Sequence, residues 1–381
     1  MSADTDTATG PRTVVIAPDS FKGSMSAAQA CTAIAAGWHS ARPQDDVRCV
    51  PLADGGEGTA DAIRDATSGS RSIGCAVTGP DGRDLTAAWV LLPDGTAVVE
   101  LAVASGLPLL ARADPSGAQT IGFGQLLRAA TLHPDTRRIV ATVGGSASTD
   151  GGTGALRALG ARFLDASGAE LPPGGGPLTE LVAVDTSELI APPPGGIEVL
   201  SDVTSPLTGT HGAATVFGPQ KGADADGVAL LDAALTQLAA VIGGAPDAAG
   251  AGAAGGSAFG LATLWGARLR PGAPAVAEIV GLADALVGAD LVITGEGRFD
   301  EQSLRGKVVG HVVDSARCPV ALLAGGILDS AEIELVLDGF VATATLVGLA
   351  GSLDAALDDP QHWAMIGGEA LADSVFGRTS S

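Results

Sequence analysis

The stretch TVVIAPDSFKGSMSA, residues 13–27, joins an apolar run to a polar turn and the start of an amphipathic segment. TVVIAP is short, β-branched and apolar throughout, which is typical of a strand covered on both faces. Beyond the turn, Ala30, Ile34 and Trp38 recur at the spacing of one helix face, so we expect a helix from about Ser26. VRCVPL (residues 47–52) predicts a second strand and is followed by another turn and helix. This β-α-β-α order predicts a parallel sheet.

The C-terminal part of the chain returns to the same alternation. ADLVIT (residues 289–294), CPVALLAG (318–325) and VATATLV (341–347) each predict a buried strand, and GEGRFDEQSLRGK is expected to be the turn after the first of them. The middle differs, because residues 83–102 predict two antiparallel strands around a PDG turn. Further on, RRIVATV and IEVLSDV predict strands, and a long helix is expected near residues 224–242.

These patterns together predict an α/β fold with two domains. A Rossmann-like domain with a parallel sheet is built from both chain ends, residues 12–78 plus 286–381, and an α/β domain with a mixed sheet is inserted at residues 79–285. The low-complexity stretch 243–260 favours a flexible linker. It contains a formal GxGxxG at Gly250, Gly252 and Gly255, but no predicted strand precedes it, so it is a weak dinucleotide signal.

The composition limits the classes of partner. Hydrophobic residues make up 46% of the chain, tyrosine is absent and aromatic residues amount to 3%, so the core must be mainly aliphatic. A formal net charge of −22 argues against a nucleic acid and against an anionic membrane surface as partners. A small anionic substrate stays open, because a few basic residues in a cleft are enough to bind one.

The cysteines and the N-terminus indicate an intracellular protein. Cys31, Cys49, Cys75 and Cys318 have neither CxxC nor zinc-type spacing, so we expect reduced, structural thiols. The N-terminal segment is polar and lacks the apolar part of a signal peptide. No apolar run is expected to reach the roughly 18 residues of a membrane helix. The sequence therefore predicts a soluble, cytoplasmic protein.

Lysine is rare in this chain, and each lysine has a glycine directly beside it. The only lysines are Lys22, Lys221 and Lys307, in FKGS, QKGA and RGKV, and every other basic residue except histidine is arginine. A compact ammonium group next to bare backbone is well suited to meet a phosphate or carboxylate. We therefore interpret Lys22 and Lys307 as functional, and Lys221 with them.

Two N-terminal loops follow predicted strands and carry acidic groups. The first, PDSFKGS, contains Asp19, Ser20 and Lys22, and the second, ADGGEG, contains Asp54 and Glu57. Because the carboxyl ends of parallel strands face one ligand crevice, we expect such loops to converge. Asp54 and Glu57 have the oxygen ligands that Mg²⁺ prefers. A turn that caps the next helix is an equal alternative for this pair.

A third loop, GGSASTDGGTG (residues 144–154), follows a predicted strand and precedes a helix. Small hydroxyl residues and glycines there present backbone N–H groups to an anion, so phosphate or carboxylate binding is favoured over a plain tight turn. The loop lacks the Gly-Lys-Ser/Thr of a P-loop. The candidate binding residues are Gly144, Gly145, Ser146, Ser148 and Thr149, and Asp150 is a candidate catalytic residue.

The fourth and fifth loops add further charges. Asp202 directly follows the predicted strand IEVL. The fifth loop, TGEGRFDEQSLRGK (residues 294–307), alternates acid and base, which suits a nucleotide phosphate with its metal. Its candidate phosphate-binding residues are Gly295, Gly297, Arg298 and Lys307, and its candidate metal ligands are Glu296 and Asp300.

Phosphoryl transfer is the chemistry that these loops predict, since it needs mainly charge clamps, a divalent metal and positioning. Asp202 and Asp150 are both candidates for the general base, and Lys22 is the third candidate catalytic residue. We favour Asp202 because it has few polar neighbours, whereas Asp150 lies among N–H groups and suits a positioning role. An NAD(P)-dependent oxidoreductase and a non-catalytic sensor are the alternatives from other classes.

Six motifs, in order, resemble the bacterial type I glycerate kinases: VIAPDSFKGSMSA, PLADGGEGTADA, GGSASTDGGTGALRALGARF, PLTGTHGAATVFGPQKGA, GAGAAGG and ITGEGRFDEQSLRGK. The resemblance runs from about residue 13 to 325. It implies a two-domain α/β protein that uses ATP and Mg²⁺ to phosphorylate D-glycerate, usually to 2-phosphoglycerate. A 3-phosphoglycerate product, or a related small hydroxy acid as substrate, is the alternative, and a homodimer is compatible with the sequence.

The chain departs from the family pattern at two loops and at its C-terminus. Ser201 precedes Asp202 where the family commonly has cysteine, and Ser148-Thr149 stands where Thr-Asn is common. Both aspartates, Asp150 and Asp202, are retained. The region after residue 325 matches the family pattern poorly.

Overall fold

The structure is a computed structural model that describes residues 10–301, 303–304, 307–328 and 330–377, without the side chains of residues 331 and 332. The N-terminal residues that argue against a signal peptide lie mostly outside this part. So do residues 302, 305 and 306 of the fifth loop.

The described residues form a mixed α/β structure. In chain order the strands are β1 (Thr13–Ile16), β2 (Asp46–Cys49), β3 (Arg71–Thr78), β4 (Asp84–Leu91), β5 (Thr96–Glu100), β6 (Arg138–Thr142), β7 (Arg162–Leu164), β8 (Ala183–Asp185), β9 (Ile197–Leu200), β10 (Arg268–Arg270), β11 (Leu291–Phe299), β12 (Val320–Ile327) and β13 (Ala342–Thr345).

The helices alternate with these strands over much of the chain. They are α1 (Ala27–Ala41), α2 (Thr59–Ala66), α3 (Ala102–Ser105), α4 (Ile121–Leu132), α5 (Thr153–Ala158), α6 (Ala213–Phe217), α7 (Ala225–Ile242), α8 (Ser257–Trp265), α9 (Gly272–Ile279), α10 (Leu282–Ala285), α11 (Val308–Ser315), α12 (Ala331–Leu337), α13 (Leu346–Ala350), α14 (Leu353–Asp358) and α15 (Pro360–Phe376). Short 3-10 turns cover Leu107–Leu109, Gly176–Glu180 and Pro219–Lys221.

The first of two compact units contains an all-parallel sheet in the order β13-β12-β11-β1-β2. β1 pairs with β2 on one side and, across most of the chain, with β11 on the other. The predicted helix after β1 is present, and a capping box in which Ser26 and Gln29 satisfy each other's backbone begins it. Helices cover both faces of the sheet, as a parallel sheet requires. The predicted α/β architecture with a parallel sheet is confirmed.

The second unit contains a mixed sheet in the order β10-β9-β6-β5-β4-β3. β4 pairs antiparallel with β5 around the predicted PDG turn and with β3 on its other edge, while β5, β6, β9 and β10 are parallel. Trp89, Phe123 and Phe163 are buried in a core that is otherwise mostly aliphatic. β7 and β8 form a separate antiparallel pair.

The two units divide the chain at slightly different points from the predicted domains. The first unit comprises the described residues of Met1–Asp54, Asp61–Thr67 and Ala273–Ser381, and the second comprises Gly55–Ala60 and Ser68–Gly272. The segment 71–78, which the sequence analysis places in the first domain, is β3 at the edge of the second sheet. β3 belongs to the second sheet because it pairs antiparallel with β4. The sequence of β3 alone does not indicate this pairing. The domain bounds themselves stay a prediction.

One segment of the second unit differs from its sequence-based interpretation, whereas the long helix predicted near residues 224–242 is confirmed as α7. Residues 243–260 are packed rather than linker-like, because Ala251 and Ala253 are buried and a Cβ on Gly255 would lie 2.1 Å from the carbonyl oxygen of Ser148. The long helix α7 contains 18 residues with a mean hydropathy of 1.5, so it is long and apolar enough for a membrane span by those criteria. One face of it, with Leu231, Leu235 and others, packs into the unit's core.

Helices α1 and α15 of the first unit pack closely because they meet at glycines. A Cβ on Gly37 would lie 1.8 Å from the carbonyl oxygen of Met365, and one on Gly368 would lie 2.2 Å from that of Ile34. We expect Gly37→Ala to lower the free energy of unfolding by about 1–3 kcal/mol, because the backbones must move apart. Urea unfolding monitored by circular dichroism measures it.

The control for Gly37→Ala is Gly74→Ala on β3, where an added Cβ has no atom within 4 Å. It should change the unfolding free energy by less than about 0.5 kcal/mol. An equal effect of both variants would show that the close approach of the two helices is not what Gly37 provides.

Candidate functional site

The loop after β1 places an acid and a base at the carboxyl end of an inner strand of the first unit's sheet. The backbone N–H of Asp19 donates to the carbonyl of Gly295 on β11 (2.8 Å), which fixes the start of the loop. The Asp19 side chain is buried and its Oδ1 accepts from the N–H of Ser20 at 2.6 Å. The Lys22 side chain is 71% exposed, and its Nζ lies 3.8 Å from Oδ2 of Asp54.

Residues 295–299 are part of strand β11, which corrects the prediction that they form the turn after it. Glu296 pairs with Ala324 and Arg298 with Gly326 of β12. The glycines of this segment, which suggested a turn, instead let the β11 backbone lie close to neighbouring backbone segments. A Cβ on Gly297 would lie 3.1 Å from the backbone nitrogen of Lys22.

Four carboxylates lie close together beyond the carboxyl ends of β1, β2 and β11. Burial, together with the charge of Asp54, raises the pKa of Asp19 to about 7, against the N–H of Ser20 and the charge of Lys22. Burial also raises the pKa of Glu296, and the charge of Asp300 adds to this. The buried Oε1 of Glu296 has no hydrogen-bond partner among the described residues.

Two neighbours, Ser303 and Lys307, oppose the rise in the pKa of Glu296. A hydrogen bond from Ser303 and the charge of Lys307 both favour the ionised carboxylate. Ser303 is fully buried, and its Oγ also accepts from the backbone N–H of Asp300 at 2.8 Å. Lys307 is half-buried at the N-cap of α11. The fifth loop therefore does bring Glu296, Asp300 and Lys307 together.

The chemistry of this cluster suits a divalent cation, although no three acidic, histidine or cysteine side chains of the described residues already form a metal-binding group. Mg²⁺ commonly takes only one or two protein carboxylates and fills the other positions with water and substrate phosphates. The raised pKa of Asp19 and the unpaired Oε1 of Glu296 mark negative charge that a cation would stabilise. Glu57, the fourth predicted ligand, belongs to the second unit.

A pocket of about 630 Å³ lies in the first unit at the carboxyl ends of β11, β12 and β13. Its walls are largely apolar or bare backbone, from Gly325 and Gly326 to Leu353 and Leu357. Lys22 and Arg298 add two cations. The pocket thus combines a surface for a flat apolar group with charges for an anionic one, at the end of the sheet where α/β proteins bind ligands.

In the second unit, Asp150 organises the glycine-rich loop between β6 and α5. Its carboxylate is fully buried. Oδ1 accepts from the N–H of Gly152 (3.0 Å) and from Ser148 Oγ (3.3 Å), and Oδ2 accepts from Thr120 N and Oγ1 (2.9 and 2.8 Å) and from Gly154 N (3.2 Å). With so many donors on its two oxygens, Asp150 holds the loop in place.

Lys221 is the buried cation of this unit. It is 2% exposed, and its Nζ donates a short hydrogen bond to the carbonyl of Ser148. Burial lowers the pKa of Lys221 to about 8, and the charge of Asp150 opposes this shift. An anion beside Lys221 would stabilise its charged form.

A pocket of about 390 Å³ brings Lys221 together with part of the glycine-rich loop. Gly144, Gly145 and Ser146 line it, and within the described part of the chain their N–H groups donate no hydrogen bond. Glu57, Ser201 and Val203 line it as well. Thr149, another predicted binding residue, is fully buried and does not line it.

Asp202 lies between two residues that line this pocket. It is half-buried, and its Oδ1 accepts from the backbone N–H of Gly272 at 2.7 Å. The structure therefore separates the two candidate bases by their burial, with Asp150 fully buried and Asp202 half-buried.

Sequence reasoning missed three polar residues that build these sites. Glu100, at the end of β5, accepts from the N–H groups of Gly58 and Ala60 at 2.9 and 3.0 Å, and so fixes the loop that carries Glu57. The only sequence feature that could have pointed to Glu100 is that a single acidic residue ends the apolar run TAVVE. Thr120 and Ser303 had none, because ordinary hydroxyl residues are common in loops.

Comparison with known proteins identifies relatives over most of the chain. Residues 14–375 match the model of the glycerate kinase family. The glycerate kinase of Bacillus subtilis (strain 168) is 45% identical over 82% of this chain and 85% of its own, and the glycerate 2-kinase of Escherichia coli (strain K12) is 40% identical over 90% and 92%. A crystal structure from Salmonella typhimurium LT2, assigned as a glycerate kinase 2, superimposes with a TM-score of 0.82 at 39% identity, covering 96% of this chain and 98% of that one.

The raised pKa of Asp19 gives a test of the carboxylate cluster by pH. Because the folded-state pKa of about 7 exceeds the ordinary 3.8, the folded protein binds this proton more tightly than the unfolded chain does. The resulting stability is present below about pH 4 and is lost as the pH rises through 7. Without metal or nucleotide, we expect the unfolding free energy of the wild type to fall across this range relative to that of Asp19→Asn.

Urea unfolding at several pH values between 4 and 8 measures this difference. Asp354→Asn is the matched control, since Asp354 is exposed on α14. Its difference from the wild type should not change over the range. If the difference for Asp19→Asn is equally flat, Asp19 is ionised throughout and the cluster does not crowd charge.

Proposed function

Because the chain belongs to the glycerate kinase family, and is therefore a kinase, we propose that it transfers the γ-phosphoryl group of ATP to D-glycerate and forms 2-phosphoglycerate. The observation that carries the proposal is that each unit has a pocket whose chemistry fits one substrate. The apolar, glycine-walled pocket of the first unit fits a nucleotide, and the small pocket beside Lys221 fits a hydroxy acid.

The pocket of the second unit supports glycerate as the acceptor. A volume of about 390 Å³ suits a small molecule. Lys221 would pair with the substrate carboxylate, and the N–H groups of Gly144, Gly145 and Ser146 would donate to it. These contacts replace solvent around a charge with fixed dipoles, and they orient the substrate hydroxyls.

The pocket of the first unit supports ATP as the donor. The apolar wall from Leu346 to Leu357 would cover the base and the glycines would let the nucleotide approach the backbone closely. Lys22, Arg298 and Lys307 would contact its phosphates. An arginine has a planar, forked head, so it would not reproduce the single-point contact of Lys22 or Lys307.

Mg²⁺ fits the carboxylates beyond the ends of β1, β2 and β11. Asp54 and Glu296 would hold it, with Asp19 and Asp300 beside them. The bound ion would neutralise the charge of the nucleotide phosphates. Asp19 would then be ionised, because the cation offsets the burial and the charge of Asp54 that raise its pKa.

Phosphorus-31 NMR of a reaction with D-glycerate and ATP tests the proposal. We expect the resonance of 2-phosphoglycerate to appear with that of ADP, and no product in excess EDTA. The 3-phosphoglycerate resonance would replace the proposed product by the alternative one. Transfer only to other small hydroxy acids would replace the substrate, and undiminished turnover in EDTA would reject the metal.

Family membership favours a kinase over the oxidoreductase and the non-catalytic sensor. The cytoplasmic location, the homodimer and the lack of nucleic-acid and membrane partners stay predictions.

Asp202, which is half-buried between two residues that line the pocket, is the proposed general base, and Asp150 is the residue that positions the loop. Asp202→Asn should lower the single-turnover rate by about 10²–10⁴-fold while ATP affinity stays nearly the same. Quenched-flow measurements and nucleotide titration check both quantities.

Asp150→Asn serves as the comparison. Its side-chain NH₂ group would replace an oxygen that now accepts from N–H or O–H groups, so two donors would face each other. We expect it to lower the thermal unfolding temperature as well as the rate. If Asp150→Asn stays as stable as the wild type and slows the single turnover more than Asp202→Asn does, the two roles are reversed.

A further inference from the structure

Two cysteines of the first unit lie next to each other beneath the loops that carry Asp19 and Asp54. Cys31 is buried on α1, and Cys49 is the exposed last residue of β2. The Cys31 Sγ donates to the carbonyl of Ile16 at 3.4 Å, and the Cys49 Sγ donates to the carbonyl of Cys31 at 3.6 Å. Ile16 and Cys49 are partners in the β1–β2 register.

The two thiols also differ in reactivity in a way that suits a redox pair. Burial raises the pKa of the Cys31 thiol, and the neighbouring Cys31 lowers the pKa of Cys49. A thiolate reacts with oxidants far faster than a thiol does. Cys49 is thus the accessible nucleophile, and Cys31 is the shielded partner that can resolve its oxidised form.

We propose that Cys31 and Cys49 are an oxidation site that closes to a disulfide when the protein meets a hydroperoxide. The Cys49 sulfur attacks a peroxide oxygen and the O–O bond breaks, leaving a sulfenic acid on Cys49 and releasing an alcohol or water. The Cys31 sulfur then attacks the Cys49 sulfur, the S–O bond breaks and water leaves. The two thiols lose two electrons and two protons, and the peroxide is reduced by the same two electrons.

The position of the pair connects this chemistry to the site. β1 continues from Ile16 into the loop with Asp19, and β2 continues from Cys49 into the loop with Asp54. Moving the Cys31 sulfur onto Cys49 breaks its hydrogen bond to the carbonyl of Ile16, which also accepts from the N–H of Val50 at 2.8 Å. The disulfide would therefore shift the bases of both loops. Disulfide formation can be tested without reference to the proposed function. The effect of the disulfide on activity rests on the proposed function.

Non-reducing peptide mapping tests the disulfide directly. The full chain is treated with hydrogen peroxide, alkylated and digested with trypsin, which cuts after Lys22, Arg48 and Arg64 but not between Arg42 and Pro43. We expect residues 23–48 and 49–64 to be recovered as one disulfide-linked species that dithiothreitol separates. Two of the four cysteine thiols should be lost in a titration of the denatured protein.

Variants identify the roles within the pair. Cys49→Ser and Cys31→Ser should each abolish the linked species, and Cys49→Ser needs no buried group to be replaced. Cys75→Ser and Cys318→Ser, at half-buried cysteines elsewhere, are matched controls and should retain it. Recovery of Cys49 only as sulfinic acid, or only in a disulfide between two chains, would overturn the proposal.

The activity measurement separates the redox site from the proposed function. Phosphoryl transfer by the oxidised wild type should fall by about tenfold or more, because small displacements of positioning groups are costly, and dithiothreitol should restore it. Cys49→Ser should keep its activity in peroxide. A fully cross-linked protein with unchanged activity would overturn the link to the loops. If the reduced protein phosphorylates no hydroxy acid, the proposed function fails while the peptide map still decides the disulfide.

Discussion

The parallel pairing of β1 with β11 is the constraint on which the rest of the first unit depends. It joins residues 14–16 to residues 291–293, so the sheet cannot form until the chain has returned from the second unit. Because the two strands run parallel, their carboxyl ends lie at the same edge of the sheet. The loops that follow them therefore meet, and they bring Asp19 and Glu296 close enough for each to affect the other's charge.

Each unit contains a buried ionisable group whose charged form a bound ion or substrate would stabilise. In the first unit, burial and like charge disfavour the ionised form of Asp19, and in the second, burial disfavours the ammonium of Lys221. Added positive charge would stabilise the ionised form of the first group, and added negative charge that of the second. A divalent cation and a carboxylate are the species that would supply them, which is why the same physical argument supports a metal in one unit and an anionic substrate in the other.

Buried polar groups set the geometry of the loops in the second unit. Asp150 holds the glycine-rich loop through donors from Thr120 and from the start of α5, and Glu100 holds the loop that carries Glu57. Cys31 and Cys49 lie in a comparable supporting position below the first unit's loops. A change in such a residue acts on the chemistry through the backbone that it fixes.

The sequence by itself determined the alternation of strands and helices, the parallel sheet, the family and the loops that carry charge. Those features depend on local periodicity, on turn residues and on motifs of contiguous residues, all of which are present in the linear order. Only the tertiary structure decided that GEGRF continues β11, that residues 71–78 join the second sheet and that Glu57 and Asp54 fall in different units. It also decided the surroundings of Asp150 and Asp202. The physical reason is the same in each case: strand pairing, burial and hydrogen-bond partners come from residues far away in the chain, and no local pattern records them.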